Sequence, residues 1–154
     1  MKQSDRNSFL IRSSEPGFKE ACMNTLFNKR TPANFPEILY RVKEVEDIQR
    51  AISIAKEEGL KLTVVSGGHS WSANHMRKNS LLIDMSLFDS YSIDKSKMQA
   101  KAGPGCKGHI LMLELVKQGL FFPTGHCKGV CLGGYLLKGG FGWHSVEIGL
   151  ACEQ

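Results

Sequence analysis

Apolar and polar positions alternate in blocks that predict strand, helix, strand and then a glycine turn. After TPANFPEILYRV, an extended piece framed by two prolines and ending in Ile38, Leu39, Tyr40 and Val42, comes EVEDIQRAISIAKEEG. Its Val45, Ile48, Ile52 and Ala55 fall at helical spacing, acids crowd its start and Gly59 supplies a C-terminal stop. LKLTVVS, residues 60–66, is rich in β-branched residues and reads as a strand closed by SGGHS. LLIDMS, residues 81–86, reads as a buried strand and SKMQAKAG as a weaker one. GPGCKG then opens an apolar helix, HILMLELVKQ, stopped by Gly119. Residues 1–31 are polar without a clear period and read as a lead-in. Beyond FFPTG the pattern changes. Eight of the sixteen glycines lie between Gly125 and Gly149, a density that weakens ordinary elements and predicts strands and loops. The fold class is α+β, with two small α+β subdomains, the second incomplete, and the chain reads as a fragment of a longer one.

Bulk properties narrow the function classes. The 154 residues suffice for one domain with a core, and 42% hydrophobic with 23% charged is ordinary for a globular protein. A net charge of +5 without basic blocks or interleaved aromatics argues against nucleic acid. No apolar run approaches the roughly 20 residues of a membrane helix, and the start lacks a signal-peptide core. Five irregularly spaced cysteines oppose a disulfide framework and fit a reducing compartment, so the expected location is the cytoplasm.

The chemistry concentrates at SGGHSW, Ser66 to Trp71. Backbone N–H groups of a tight glycine turn can converge on an anion such as a pyrophosphate, and Ser66 and Ser70 add hydroxyl donors. The pattern is not GxGxxG and no helix clearly follows, so a nicotinamide-dinucleotide fold is unsupported. On spacing alone, a plain strand-ending turn with an exposed His69 fits equally well. His126, Cys127, Cys131, His144 and Cys152 are of types that zinc accepts, but the spacing is irregular and no C-x2-C pair occurs. No metal ligand is assigned, and a zinc module is the weakest alternative. His75 and His109 read as structural or solvated. Cys22, Cys106 and Cys152 read as buried inert thiols, and Trp71 and Trp143 as core residues or neighbours of a ligand.

VVSGGHSW followed by LLIDMS resembles the flavin-attachment segment of FAD-linked oxidases of the vanillyl-alcohol oxidase and berberine bridge enzyme type, whose FAD-binding domain is called PCMH-type. The segment from GPGCKG to GGFGW resembles the same family's next element. The resemblance covers residues 32–154, which it marks as the FAD-binding domain. It implies that Ser66, Gly67, Gly68, His69 and Ser70 cradle the FAD pyrophosphate and that His69 bonds to the C8 methyl of the ring. Cys127 matches the cysteine that bonds flavin C6 in doubly attached members, and Gly133, Gly134, Gly139, Gly140 and Gly142 match glycines packed around the ring and ribityl chain. FAD is expected between the two subdomains, its ring between His69 and Cys127. Imidazole and thiolate suit addition to an electrophilic ring, and two electron-withdrawing tethers raise its potential. The implied reaction passes a hydride from an alcohol or amine carbon of a small-molecule substrate to FAD, with oxygen as acceptor.

Cys131, Lys128 and Lys138 depart from the family's usual residues, and family members are much longer. The catalytic base is unknown. Tyr91 and Tyr135 qualify only by residue type. The fragment alone is not expected to be active, and a non-catalytic FAD-binding remnant is the alternative reading.

Overall fold

The computed structural model describes residues 9–153, so the first eight residues of the lead-in, and Gln154 at the end of the expected FAD-binding region, lie outside the described residues. The chain divides into two compact units at Phe88 and Asp89.

The first unit is a four-stranded sheet with a helix on each face. Its strands are β1 (Phe9–Arg12), β2 (Ile38–Arg41), β3 (Lys61–Val65) and β4 (Ser80–Asp84), in the order β1-β2-β4-β3. β1 runs antiparallel to β2, whereas β2, β4 and β3 are parallel. The period of two sorts the side chains onto the two faces. Ile38, Tyr40, Leu81 and Ile83 pack on Ala51 and Ala55 of α2 (Val45–Glu57), and Leu39 and Leu82 pack with Phe18 and Cys22 of α1 (Phe18–Asn24). Covered on both faces, β4 is buried throughout, so LLIDMS reads as one apolar run rather than an alternation.

The lead-in, read from sequence as polar without a clear period, carries β1 and α1 within residues 9–24. Phe18, Cys22 and Leu26, spaced by four, are all buried in the core beneath β2 and β4. The inner face of α2 is Ile48, Ala51 and Ala55, whereas Val45 and Ile52 are exposed. Small alanines let the helix lie close to the sheet, so they win the face over larger residues one position away. The start of α2 is fixed by reciprocal bonds between Glu44 and Asp47, and Gly59 follows its C-terminus at φ 65°.

The second unit has a hairpin, β5 (Tyr91–Asp94) with β6 (Gln99–Ala102), and three helices: α3 (Gly108–Val116), α4 (Leu132–Lys138) and α5 (Ser145–Ile148). Its core is Cys106, Leu111, Leu115 and Leu132, joined by Ile93, Leu120 and Phe122. β6 stands where the weaker strand was expected, but its partner β5 is polar and largely exposed and carries little sequence signal. The strand-and-loop expectation for the glycine-rich end is also corrected, because α4 forms through LGGYLLK despite two glycines. Tertiary anchors outweigh propensity there. The Leu132 amide donates to the Cys106 carbonyl at 2.8 Å and the Gly133 amide to the Pro104 carbonyl at 3.0 Å, while Leu132 and Tyr135 are buried. Among the described residues no helix is long and apolar enough to cross a membrane.

Two tests follow from this packing. Leu82→Ala leaves a cavity at a fully buried site and should lower the unfolding free energy by about 3 kcal/mol in urea denaturation. Gly68 has φ 64°, and a Cβ there would land on the Thr25 carbonyl, whereas Gly17, at φ 83°, faces open space. Thermal melts should therefore rank Gly68→Ala, costing roughly 2–4 kcal/mol from clash plus backbone strain, well above Gly17→Ala at about 1 kcal/mol.

Candidate functional site

The turn 66–70 leaves the C-terminal end of β3, the edge strand beside β4. Gly68 is buried against the end of α1, and its carbonyl accepts the Phe27 amide at 3.3 Å. No helix follows; the Ser70 carbonyl accepts the Ala73 amide and the Ala73 carbonyl the Met76 amide, giving two successive turns. An extended ladder would consume the turn's donors. Here the amides of Gly67, Gly68, His69 and Ser70, and the hydroxyls of Ser66 and Ser70, donate to no acceptor among the described residues. Several neighbouring N–H groups around a left-handed glycine, with hydroxyls on either side, are a donor set for an anion. The residues present therefore fit a pyrophosphate.

His69 is half-buried, and its imidazole lies flat on the Phe27 ring, 4.6 Å between centroids with 12° between planes. Burial pushes the imidazole below its ordinary value of 6.5, which leaves it uncharged at neutral pH. Phe27 also meets the edge of Trp71, which is 70% exposed, and the Arg30 guanidinium lies over Trp71 at 5.9 Å. Beneath the turn, Thr25 Oγ1 lies 3.2 Å from Nε2 of buried His75. Asp84 accepts from Arg41 Nε at 2.7 Å and from the Ser86 amide at 2.9 Å, tying the end of β4 to its loop. Sequence reasoning passed over Phe27 and Thr25, which stand in the lead-in. The four-residue spacing of Phe18, Cys22 and Leu26 was the signal that could have led to them.

Cys127 belongs to the second unit. Its thiol is exposed on a turn in which the Val130 amide donates to the Cys127 carbonyl at 3.1 Å. Next to it, His126 meets Trp143 edge to face at 4.3 Å, and a bridge pairs Gly125 with Gly142. The glycines expected near a ligand divide into groups. A Cβ on Gly140 would sit 2.7 Å from the Tyr135 ring, and one on Gly142 would strike the Thr124 carbonyl, so both make room for the chain's own atoms. Gly139 has φ 87°, ends α4 and lies beside Cys152. Gly133 gives its amide to Pro104, and Gly134 is exposed with open space where a Cβ would be.

The remaining sequence candidates are also located. Cys131 is buried and its thiol points to the Gly105 carbonyl at 3.2 Å, a structural role. Among the described residues no three His, Cys, Asp or Glu side chains group as a metal site. Cys22 and Cys106 are buried, and burial pushes the Cys22 thiol up to about 12. Cys152, expected buried, is exposed. Lys128 and Lys138 are exposed. The Tyr135 hydroxyl is buried without a hydrogen-bond partner, and burial raises its pKa.

Comparison with known proteins gives the family. A family described as FAD binding domain matches residues 36–154. An FAD-linked oxidoreductase of Hypoxylon pulicicidum is 36% identical over 154 residues, 99% of this chain and 34% of its own length. The fold superposes on 6-hydroxy-D-nicotine oxidase from Arthrobacter nicotinovorans with a TM-score of 0.80 at 28% identity, covering 94% of this chain and 31% of that one. A variant of BBE-like 1 from Physcomitrella patens gives 0.77 at 25% identity, covering 97% and 32%. The chain thus spans about a third of the length of the relatives it matches. With a profile match over most of the chain, a PCMH-type α+β fold and a turn of free amides suited to a pyrophosphate, the chain belongs to the FAD-binding domain family of FAD-linked oxidoreductases.

Proposed function

We propose that this chain is the flavin-holding part of an FAD-dependent oxidase in which FAD is bonded to His69, with Cys127 the candidate for a second bond. The observation that carries the reading is the set of free amides from Gly67 to Ser70 beside an uncharged, half-exposed imidazole. The amides and the Ser66 and Ser70 hydroxyls hold the pyrophosphate. Gly133, Gly134 and Gly139 keep side chains away from the ring and ribityl chain, whereas Gly140 and Gly142 make room for Tyr135 and Thr124. Bound FAD supplies the acceptor for a hydride leaving an alcohol or amine carbon of a small-molecule substrate, and oxygen takes the electrons onward.

The residues' part in attachment is nucleophilic. The His69 lone pair is free because the ring is neutral, and Cys127 presents an exposed sulfur that reacts as thiolate. At His69, one methyl C–H and the imidazole N–H give way to a C–N bond. At Cys127, a ring C–H and the S–H give way to a C–S bond. In each case two protons and two electrons leave with molecular oxygen as hydrogen peroxide. The free thiols of all five cysteines suit a reducing compartment, which supports a cytoplasmic location.

Intact mass after incubation with FAD and oxygen tests the assignment. His69→Ala and Cys127→Ala should each remove one linkage, the double variant should release all flavin on acid precipitation, and an adduct unchanged in both single variants sinks the reading. Attachment through His69, followed in Cys127→Ala, should also depend on pH in one direction. Because burial lowers the folded pKa below 6.5, the rate should fall as pH drops and the imidazolium forms, with its midpoint below 6.5. A single-turnover pH series checks this.

A further inference from the structure

The Phe27 ring lies parallel to His69 in a contact that the backbone itself enforces. Thr25 closes α1, and its carbonyl fills the place where a Cβ of residue 68 would be. Two residues on, the Phe27 amide donates to the Gly68 carbonyl at 3.3 Å. Leu26 between them is buried in the core and leaves the segment no freedom to swing away. These ties hold the Phe27 ring 4.6 Å from the imidazole and within 12° of parallel, and Trp71 braces it edge-on at 5.0 Å and 89°.

We propose that Phe27 is a positioning residue: its ring covers one face of the His69 imidazole and fixes the plane in which the ring nitrogen is presented for bonding to the flavin. This rests on the covalent reading above. The segment stands outside residues 36–154, the range of the family match, so the hold on the histidine comes from a part of the chain that the match does not include. A side chain free to rotate about χ1 and χ2 presents its nitrogen correctly for only part of the time, and a stacked partner removes that freedom before the cofactor arrives. The stack also excludes water from one face of the ring, in keeping with burial as the cause of its lowered pKa. The Arg30 guanidinium lies over the Trp71 ring at 5.9 Å.

The test uses the whole chain, free of cofactor, and NMR of the histidine ring protons assigned with His69→Ala. In the wild type the His69 ring protons should be shifted upfield by the Phe27 ring current and titrate below 6.5; ring protons at ordinary positions would overturn the proposal without any variant. Phe27→Leu should move the signals downfield and raise the midpoint toward 6.5, and Phe27→Tyr, which keeps the stack, should restore both. Signals unchanged in a folded Phe27→Leu overturn the proposal. With FAD and oxygen added, Phe27→Leu should bond flavin about tenfold more slowly than the wild type, with Phe27→Tyr near the wild-type rate. If the wild type forms no adduct while its His69 signals respond to Phe27 as expected, the covalent reading fails and the hold of Phe27 on the ring stands. Equal attachment rates in Phe27→Leu and wild type overturn the positioning role.

Discussion

The Thr25 carbonyl sits where residue 68 would carry a Cβ, and the first unit is arranged around that close approach. It brings the end of α1 against the turn that leaves β3, and the amide of Phe27 onto the carbonyl of Gly68. From there Leu26 reaches the core under β2 and β4, Thr25 meets His75, and Phe27 covers His69. Any other residue at 68 would push the helix end away and release these contacts together. The glycine is required twice over, by a positive φ and by a neighbour with nowhere to move.

The same reasoning separates glycines that serve the fold from groups that serve a ligand. Gly68, Gly140 and Gly142 each make room for an atom of this chain: a carbonyl, a tyrosine ring and another carbonyl. Glycine density alone therefore does not identify a binding site. What distinguishes 66–70 is its unspent amides. Gly68 is buried and Gly67, His69 and Ser70 are partly exposed, so this run of N–H groups without an acceptor in the chain is open to water or to an anion. In the second unit the Gly133 amide is already taken by Pro104, so α4 is held by its own hydrogen bonds and by the burial of Leu132 and Tyr135.

Much of the site was legible because its chemistry is local. SGGHS must turn after LKLTVVS, and Ser66, His69 and Ser70 carry two hydroxyls and an imidazole within five residues. The strands 61–65 and 80–84 and the helices 45–57 and 108–116 were legible for the same reason: period and stop signals lie inside each segment. The misses needed partners distant in sequence. α1 and Phe27 are polar in their immediate context and acquire meaning only against Gly68 and His69. α4 contains two glycines and forms only because Cys106 and Pro104 accept its first amides. The inner face of α2 was misassigned because packing against a sheet favours alanine over isoleucine where the distance is short.

The sequence by itself determined a strand entering a glycine turn with a histidine in it, an α+β order of elements and a resemblance to one flavin-binding family. Those depend on short-range sterics, periodicity and residue chemistry, which the chain carries in consecutive positions. Only the tertiary structure decided which glycines the chain uses for itself, which amides remain free, that Cys131 faces inward while Cys127 faces solvent, and that an aromatic ring forty-two residues away lies flat on His69. The physical reason is that free donors, buried thiols and stacked rings are properties of surroundings, and surroundings exist only once distant segments have packed.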